Sequence, residues 1–62
     1  MKKRKDLVTI KCYSEEEVME RKEAINLYTE AMFGSEGSEQ ERYCRILAGL
    51  FAGYKYCSDD VD

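Results

Sequence analysis

The sequence predicts a mainly α fold, in which a short N-terminal β-strand is followed by an antiparallel two-helix hairpin in the order β-α-α, with an acidic disordered tail. Three observations carry this expectation. Polarity alternates from Leu7 to Tyr13, two Ser-x-x-Glu sequences precede stretches of helical period, and a glycine-serine segment separates those stretches.

The strand is expected over about residues 7–13, with Val8, Ile10 and Cys12 on one side and Leu7, Thr9, Lys11 and Tyr13 on the other. A lone strand leaves backbone donors and acceptors unpaired and invites a second copy to pair with it. The first helix is expected over about 15–33. Ser14 acts as N-cap, Glu17 reaches back to complete a capping box, and Tyr13 staples onto Val18. At 100° per residue Val18, Ala24, Ile25, Tyr28, Ala31 and Met32 share a face, which is the core side.

Gly34 supplies a left-handed stop, and Ser35-Glu36-Gly37 forms a short turn. The second helix, about 39–56, repeats the signal with Ser38 as N-cap and Glu41 three residues on. Its apolar stripe is Tyr43, Ile46, Leu47, Leu50, Tyr54 and Cys57. Gly49 and Gly53, beside Ala48 and Ala52, form a small-residue strip; each helix glycine costs about 1 kcal/mol relative to alanine, which calls for a packing reason. That reason is a crowded contact with the first helix or the approach of another chain. Residues 58–62 have no periodicity and are expected to be disordered.

One domain of 62 residues has a thin core, since a chain of this size buries only about 60% of its unfolded surface. Such domains gain stability from disulfides, a metal, oligomerisation or dense packing. Cys12, Cys44 and Cys57 are an odd set without the dense spacing of a secreted scaffold, and read as reduced thiols in the cytoplasm. A structural zinc site is excluded, because there is no histidine and the closest cysteines are Cys44 and Cys57. The apolar run Ile46–Tyr54 is broken by two glycines and falls short of the roughly 20 residues that span a bilayer. Leu7–Ile10 is too short for the core of a signal peptide. Dense packing or self-association remains.

Catalysis finds no support. Without histidine, neither the commonest general base nor the usual partner of a nucleophilic serine or cysteine exists. The glutamates between Glu15 and Glu23 are accounted for by the helix start and its solvent face. Asp59, Asp60 and Asp62 lack the central glycine and closing glutamate of an EF-hand loop. Gly34-Ser35-Glu36-Gly37-Ser38 lacks the lysine of a phosphate loop. The chain is read as a non-enzyme with no cofactor and no metal. Its net charge of −3 hides opposite ends, with Lys2, Lys3, Arg4 and Lys5 at the start and three aspartates at the close. The basic arm permits nucleic-acid contact by counterion release without demanding it.

A strand after a basic arm, followed by a Gly/Ser turn and a Ser-x-x-Glu helix start, resembles the ribbon-helix-helix repressors from Asp6 to about Tyr54. The resemblance implies a DNA-binding transcriptional regulator whose paired strands enter the major groove. Lys2, Lys3, Arg4, Lys5, Thr9, Lys11, Arg42 and Arg45 would then be the nucleic-acid contacts. The first helix is longer than that family's, and the overall charge is acidic. A second resemblance rests on Lys11-Cys12-Tyr13-Ser14-Glu15-Glu16, on Ser35 through Tyr43, and on Cys57-Ser58-Asp59-Asp60. These runs look like short uncharacterised proteins carried on mobile elements of Firmicutes, a setting that favours small regulators and binders, including inhibitors of host defence systems.

The function expected from the sequence is therefore a small, non-catalytic interaction or regulatory protein that forms a homodimer or binds another protein. Val8, Ile10, Cys12, Gly49 and Gly53 are the candidate self-association surface. No membrane contact is expected.

Overall fold

A computed structural model describes residues 6–59. They form β1 (Leu7–Cys12), β2 (Glu15–Glu20), α1 (Arg21–Phe33), α2 (Ser38–Ala52) and β3 (Tyr56–Ser58). The β-α-α expectation is thereby corrected to β-β-α-α-β. A three-stranded mixed sheet of order β2-β1-β3 has β1 antiparallel to β2 and parallel to β3, and both helices cover one of its faces.

The correction turns on Tyr13 and Ser14. Neither capping box forms: the N-caps are Glu20 and Gly37, without side-chain caps. Tyr13 and Ser14 instead adopt φ of 55° and 68°, the left-handed pair of a two-residue hairpin loop. The register then runs from Leu7 opposite Glu20 to Cys12 opposite Glu15. Left-handed backbone costs roughly 1–2 kcal/mol at each non-glycine residue, so something must offset it. The Tyr13 N–H donates to Asp59 Oδ2 at 3.0 Å, the Tyr13 hydroxyl donates to Glu39 at 3.0 Å, and the Arg42 guanidinium lies 4.3 Å from the Tyr13 ring centroid. These partners come from α2 and the C-terminal end, so the turn is held by tertiary contacts. Ser14→Gly is expected to raise stability by about 0.5–1 kcal/mol in a denaturant titration; a drop would show that the serine side chain has a role the turn geometry does not explain.

β1 is the central strand, with both edges paired inside the chain. The ribbon-helix-helix arrangement, in which this strand pairs with a second copy, has no free edge to use. Along β2, Lys11 faces Glu16 as an opposite-charge cross-strand pair. The exposed glutamates keep this outer strand from recruiting another.

The core consists of Val8, Ile10, Ala24, Tyr28, Ile46, Leu47, Leu50 and Cys57, with Cys12, Met19, Ile25, Met32 and Tyr43 packed against it. Tyr28 and Tyr43 join the helices through tilted rings 5.8 Å apart. Val18, expected on the core face of a helix, sits exposed on the uncovered side of the sheet beside Thr9. Gly34 ends α1 at φ −93°, so the left-handed stop expected there is absent.

The second helix stops at Ala52, four residues early. Gly53 has φ 95° and donates to Leu50 O, while the Tyr54 N–H donates to Gly49 O, which is a Schellman C-cap. Arg21 completes it: its guanidinium donates to Leu50 O at 2.7 Å and Tyr54 O at 3.2 Å, and pairs with Asp6 at 2.6 Å. The chain thus turns back to lay β3 along β1. The tail expected to be disordered begins instead as ordered strand at Ser58, followed by a buried Asp59; Asp60, Val61 and Asp62 lie outside the described residues.

Candidate interaction surfaces

Among the described residues a groove and a smaller cavity stand out. The first is a groove of about 500 Å³ between α2 and β3. Ala48, Gly49 and Ala52 line it from the helix, Tyr56, Cys57 and Ser58 from the strand, with Tyr54 between; Arg45 is its only charged residue. The small side chains are required by the fold. A Cβ on Gly49 would lie 3.0 Å from Cys57 Sγ, so the glycine admits β3, where the sequence suggested the first helix. Gly53 is the C-cap. Beside the groove, Phe51 and Tyr54 are 70% and 63% exposed.

The second is a cavity of about 270 Å³ lined by Ile10, Cys12, Glu15, Glu16, Glu17 and Tyr28. Its composition follows from the hairpin register. Glu17 lies directly opposite Ile10 and Glu15 opposite Cys12, so these glutamates share the helix-covered side of the sheet. Tyr28 is 7% exposed. Burial, together with the nearby Cys12 and Glu17, pushes its phenol up to about 12. None of the hydrogen bonds among the described residues uses its hydroxyl.

Beyond these lies a clasp at the hairpin tip. Asp59 Oδ2 accepts from Arg42 Nη1 at 2.6 Å and from the Tyr13 amide, and the Asp59 N–H donates to Lys11 O. Burial pushes the Asp59 carboxyl up, but the Tyr13 amide and Arg42 outweigh it and hold the carboxyl below its ordinary value. Arg42 Nε is buried without a partner among the described residues. The arrangement fixes β3 and the turn to α2.

Of the residues proposed for self-association, Val8 and Ile10 are fully enclosed in the core and Cys12 is partly buried against it; they present no surface to a second copy. The buried face of the strand was read correctly, but its cover is intramolecular. Of the proposed nucleic-acid contacts, the four that are described, Thr9, Lys11, Arg42 and Arg45, do not share one surface. Lys2, Lys3, Arg4 and Lys5 lie outside the described residues. Thr9 and Lys11 alternate with Val8 and Ile10, and so belong to the uncovered side of the sheet. Arg42 is bound to Asp59, and Arg45 lines the groove with Glu41 4.0 Å away. Burial raises the Cys12 and Cys57 thiols, and the Cys44 thiol lies 3.2 Å from Met32 Sδ. Sequence reasoning missed Tyr28, Glu15 and Glu17 as a group, because only the hairpin brings them together.

Among the described residues no cluster of His, Cys, Asp or Glu is placed to hold a metal, and no helix is long and apolar enough to cross a membrane. Comparison with protein-family models, with curated proteins and with solved structures returns no match.

Proposed function

We propose that this chain is a non-catalytic interaction protein that acts as a homodimer built on α2. The observation that carries this reading is the exposed apolar groove beside α2, whose lone charge is Arg45. The occupant is the α1–α2 connection of a second copy. That connection presents Phe33, 77% exposed, and an exposed Glu36 three residues later, an aromatic group and a carboxylate suited to an apolar groove with one guanidinium.

Geometry supports a closed pair. The connection leads into the N-terminal end of α2, whereas Ala48, Gly49 and Ala52 lie in its C-terminal half. Two antiparallel copies of a helix about 22 Å long would set each connection over the other copy's groove, an isologous contact. Ala48 and Ala52 would let the two helices approach closely. Absence of histidine and the raised Cys12 and Cys57 thiols support the non-catalytic part of the reading. Three unpaired thiols fit a reducing, cytoplasmic setting. A small dimeric binder also fits the mobile-element setting that the sequence resembles.

Light scattering tests the dimer. The full chain is expected at twice its chain mass at concentrations above micromolar. Ala48→Glu, on an exposed position, is expected to give a folded monomer. Arg45→Glu should also dissociate the pair, and adding Glu36→Arg should restore it. A wild-type monomer, or a charge swap that restores nothing, would overturn the reading.

A further inference from the structure

We infer that the surface which receives β3 is also a docking site for the β3 of a second copy, and that Gly53 is the hinge of this strand exchange. The contact is separate from the α2 pair and uses different groups.

Everything that holds β3 precedes it in the chain. The Thr9 N–H donates to Lys55 O at 2.8 Å, and the Asp59 N–H donates to Lys11 O at 3.1 Å. Cys57 is buried against Gly49, and the Asp59 carboxylate is gripped by the Tyr13 amide and Arg42. Thr9, Lys11, Tyr13, Arg42 and Gly49 all lie before the hinge, so each copy carries a complete receptor whichever chain supplies the strand. An exchanged dimer keeps all these contacts, and the hinge decides between it and the closed chain.

The hinge segment suits two conformations. Gly53, Tyr54 and Lys55 are exposed and reverse the chain between α2 and β3, with Gly53 at φ 95°. Short connections held in an uncommon backbone conformation invite exchange. The same segment also continues the apolar period of α2: Leu47, Leu50, Tyr54 and Cys57 recur at spacings of three and four, a period that the closed chain breaks after Ala52. Returning Gly53 to helical backbone would lengthen α2 and carry β3 out of its own receptor. Arg21 opposes this by donating to Gly53 O at 3.4 Å and Tyr54 O at 3.2 Å.

Exchange therefore depends on concentration. A strand on so short a tether has an effective concentration on the order of millimolar, so the native hinge exchanges near that concentration, far above the range in which the α2 pair forms. A Cβ on Gly53 would meet nothing within 4 Å, so Gly53→Ala changes the backbone preference alone. Left-handed backbone disfavours alanine, and exchange is expected at a concentration about tenfold lower.

The test uses the full-length chain carrying Ala48→Glu, which removes the α2 contact. Isotope-labelled and unlabelled chains are mixed at about millimolar concentration, opened at the denaturation midpoint and returned to buffer. Isotope-filtered NOEs are expected between Ile10 of one chain and Cys57 of the other, which are partners in the β1–β3 register. Both residues are buried, so a surface contact between copies gives no such signal. Light scattering should show Gly53→Ala dimerising at about a tenth of its parent's concentration. Two glycines inserted after Tyr54 should relax the connection and abolish exchange; this variant and the native hinge carry the test should Gly53→Ala not fold. No Ile10–Cys57 signal between chains, no gain in Gly53→Ala over its parent, or exchange undiminished by the insertion would overturn the assignment. Should Ala48→Glu remain dimeric at micromolar concentration without the cross-chain signal, the α2 reading fails while the NOE experiment still reports on exchange alone.

Discussion

Replacing Asp59 with alanine is expected to lower stability by about 2–3 kcal/mol and to release β3 ahead of global unfolding. The carboxylate is the single buried charged group among the described residues, its side chain 2% exposed. It accepts from both the Tyr13 amide and Arg42. Alanine would leave the amide of a left-handed turn residue without its acceptor and the Arg42 guanidinium without its counter-ion. Denaturant titration measures the loss, and amide exchange at Tyr56–Ser58 should quicken more than exchange in α2. A variant with the wild-type midpoint and protected β3 amides would show that the clasp does not hold the strand.

The same group sets an acid dependence. Its folded carboxyl titrates below the ordinary 3.8, so the folded state binds the proton less readily than the unfolded chain. The contribution is therefore fully present above that ordinary value and is lost as pH falls through the lower folded value. Asp6, lowered by its hydrogen bond to Arg21, acts in the same direction, but it is half exposed and solvent screens it. In Asp59→Ala the acid limb of the stability profile should flatten at pH below the ordinary 3.8, where the wild-type chain loses this contribution.

Ile46→Ala is expected to have the larger effect, a loss of about 2–5 kcal/mol. Ile46 is fully buried in a core shared by both helices and the sheet. A core in a chain this short supplies only about 3–5 kcal/mol, so the variant should be substantially unfolded at room temperature by circular dichroism. Leu27→Ala is the control. Leu27 is 48% exposed and its truncation should fall within about 0.5 kcal/mol. Similar losses at both positions would mean that the core is not where the burial pattern places it.

Much of the core was legible before any coordinates. Val8 and Ile10 follow from the alternation of β1, and Ala24, Tyr28, Ile46, Leu47 and Leu50 follow from helical period. The segment Glu15–Glu20 was not legible. Its glutamates favour a helix, and Val18 is its sole β-branched residue. No apolar alternation marks it as a strand, because Glu15 and Glu17 take the covered side and Val18 the open one. The groove was half legible: Gly49 announced a close approach, but not that the Cys57 side chain of β3 makes it. The acidic cavity was invisible, since its lining residues become neighbours only through the hairpin register.

By itself the sequence determined a strand at the start, two helical stretches broken between Gly34 and Gly37, and the apolar faces that meet in the core. These are local properties of period and composition, and each is readable within a window of a few turns. Only the tertiary structure decided how residues 13–20 and 53–59 are used. Helix propensity is a weak preference of tenths of a kcal/mol per residue, whereas β1 left alone would expose a full row of backbone donors and acceptors. Pairing β1 on both edges satisfies that row. The contacts of Asp59, Arg42 and Tyr13 across 46 residues of sequence hold the turn that a local reading assigned to a helix cap.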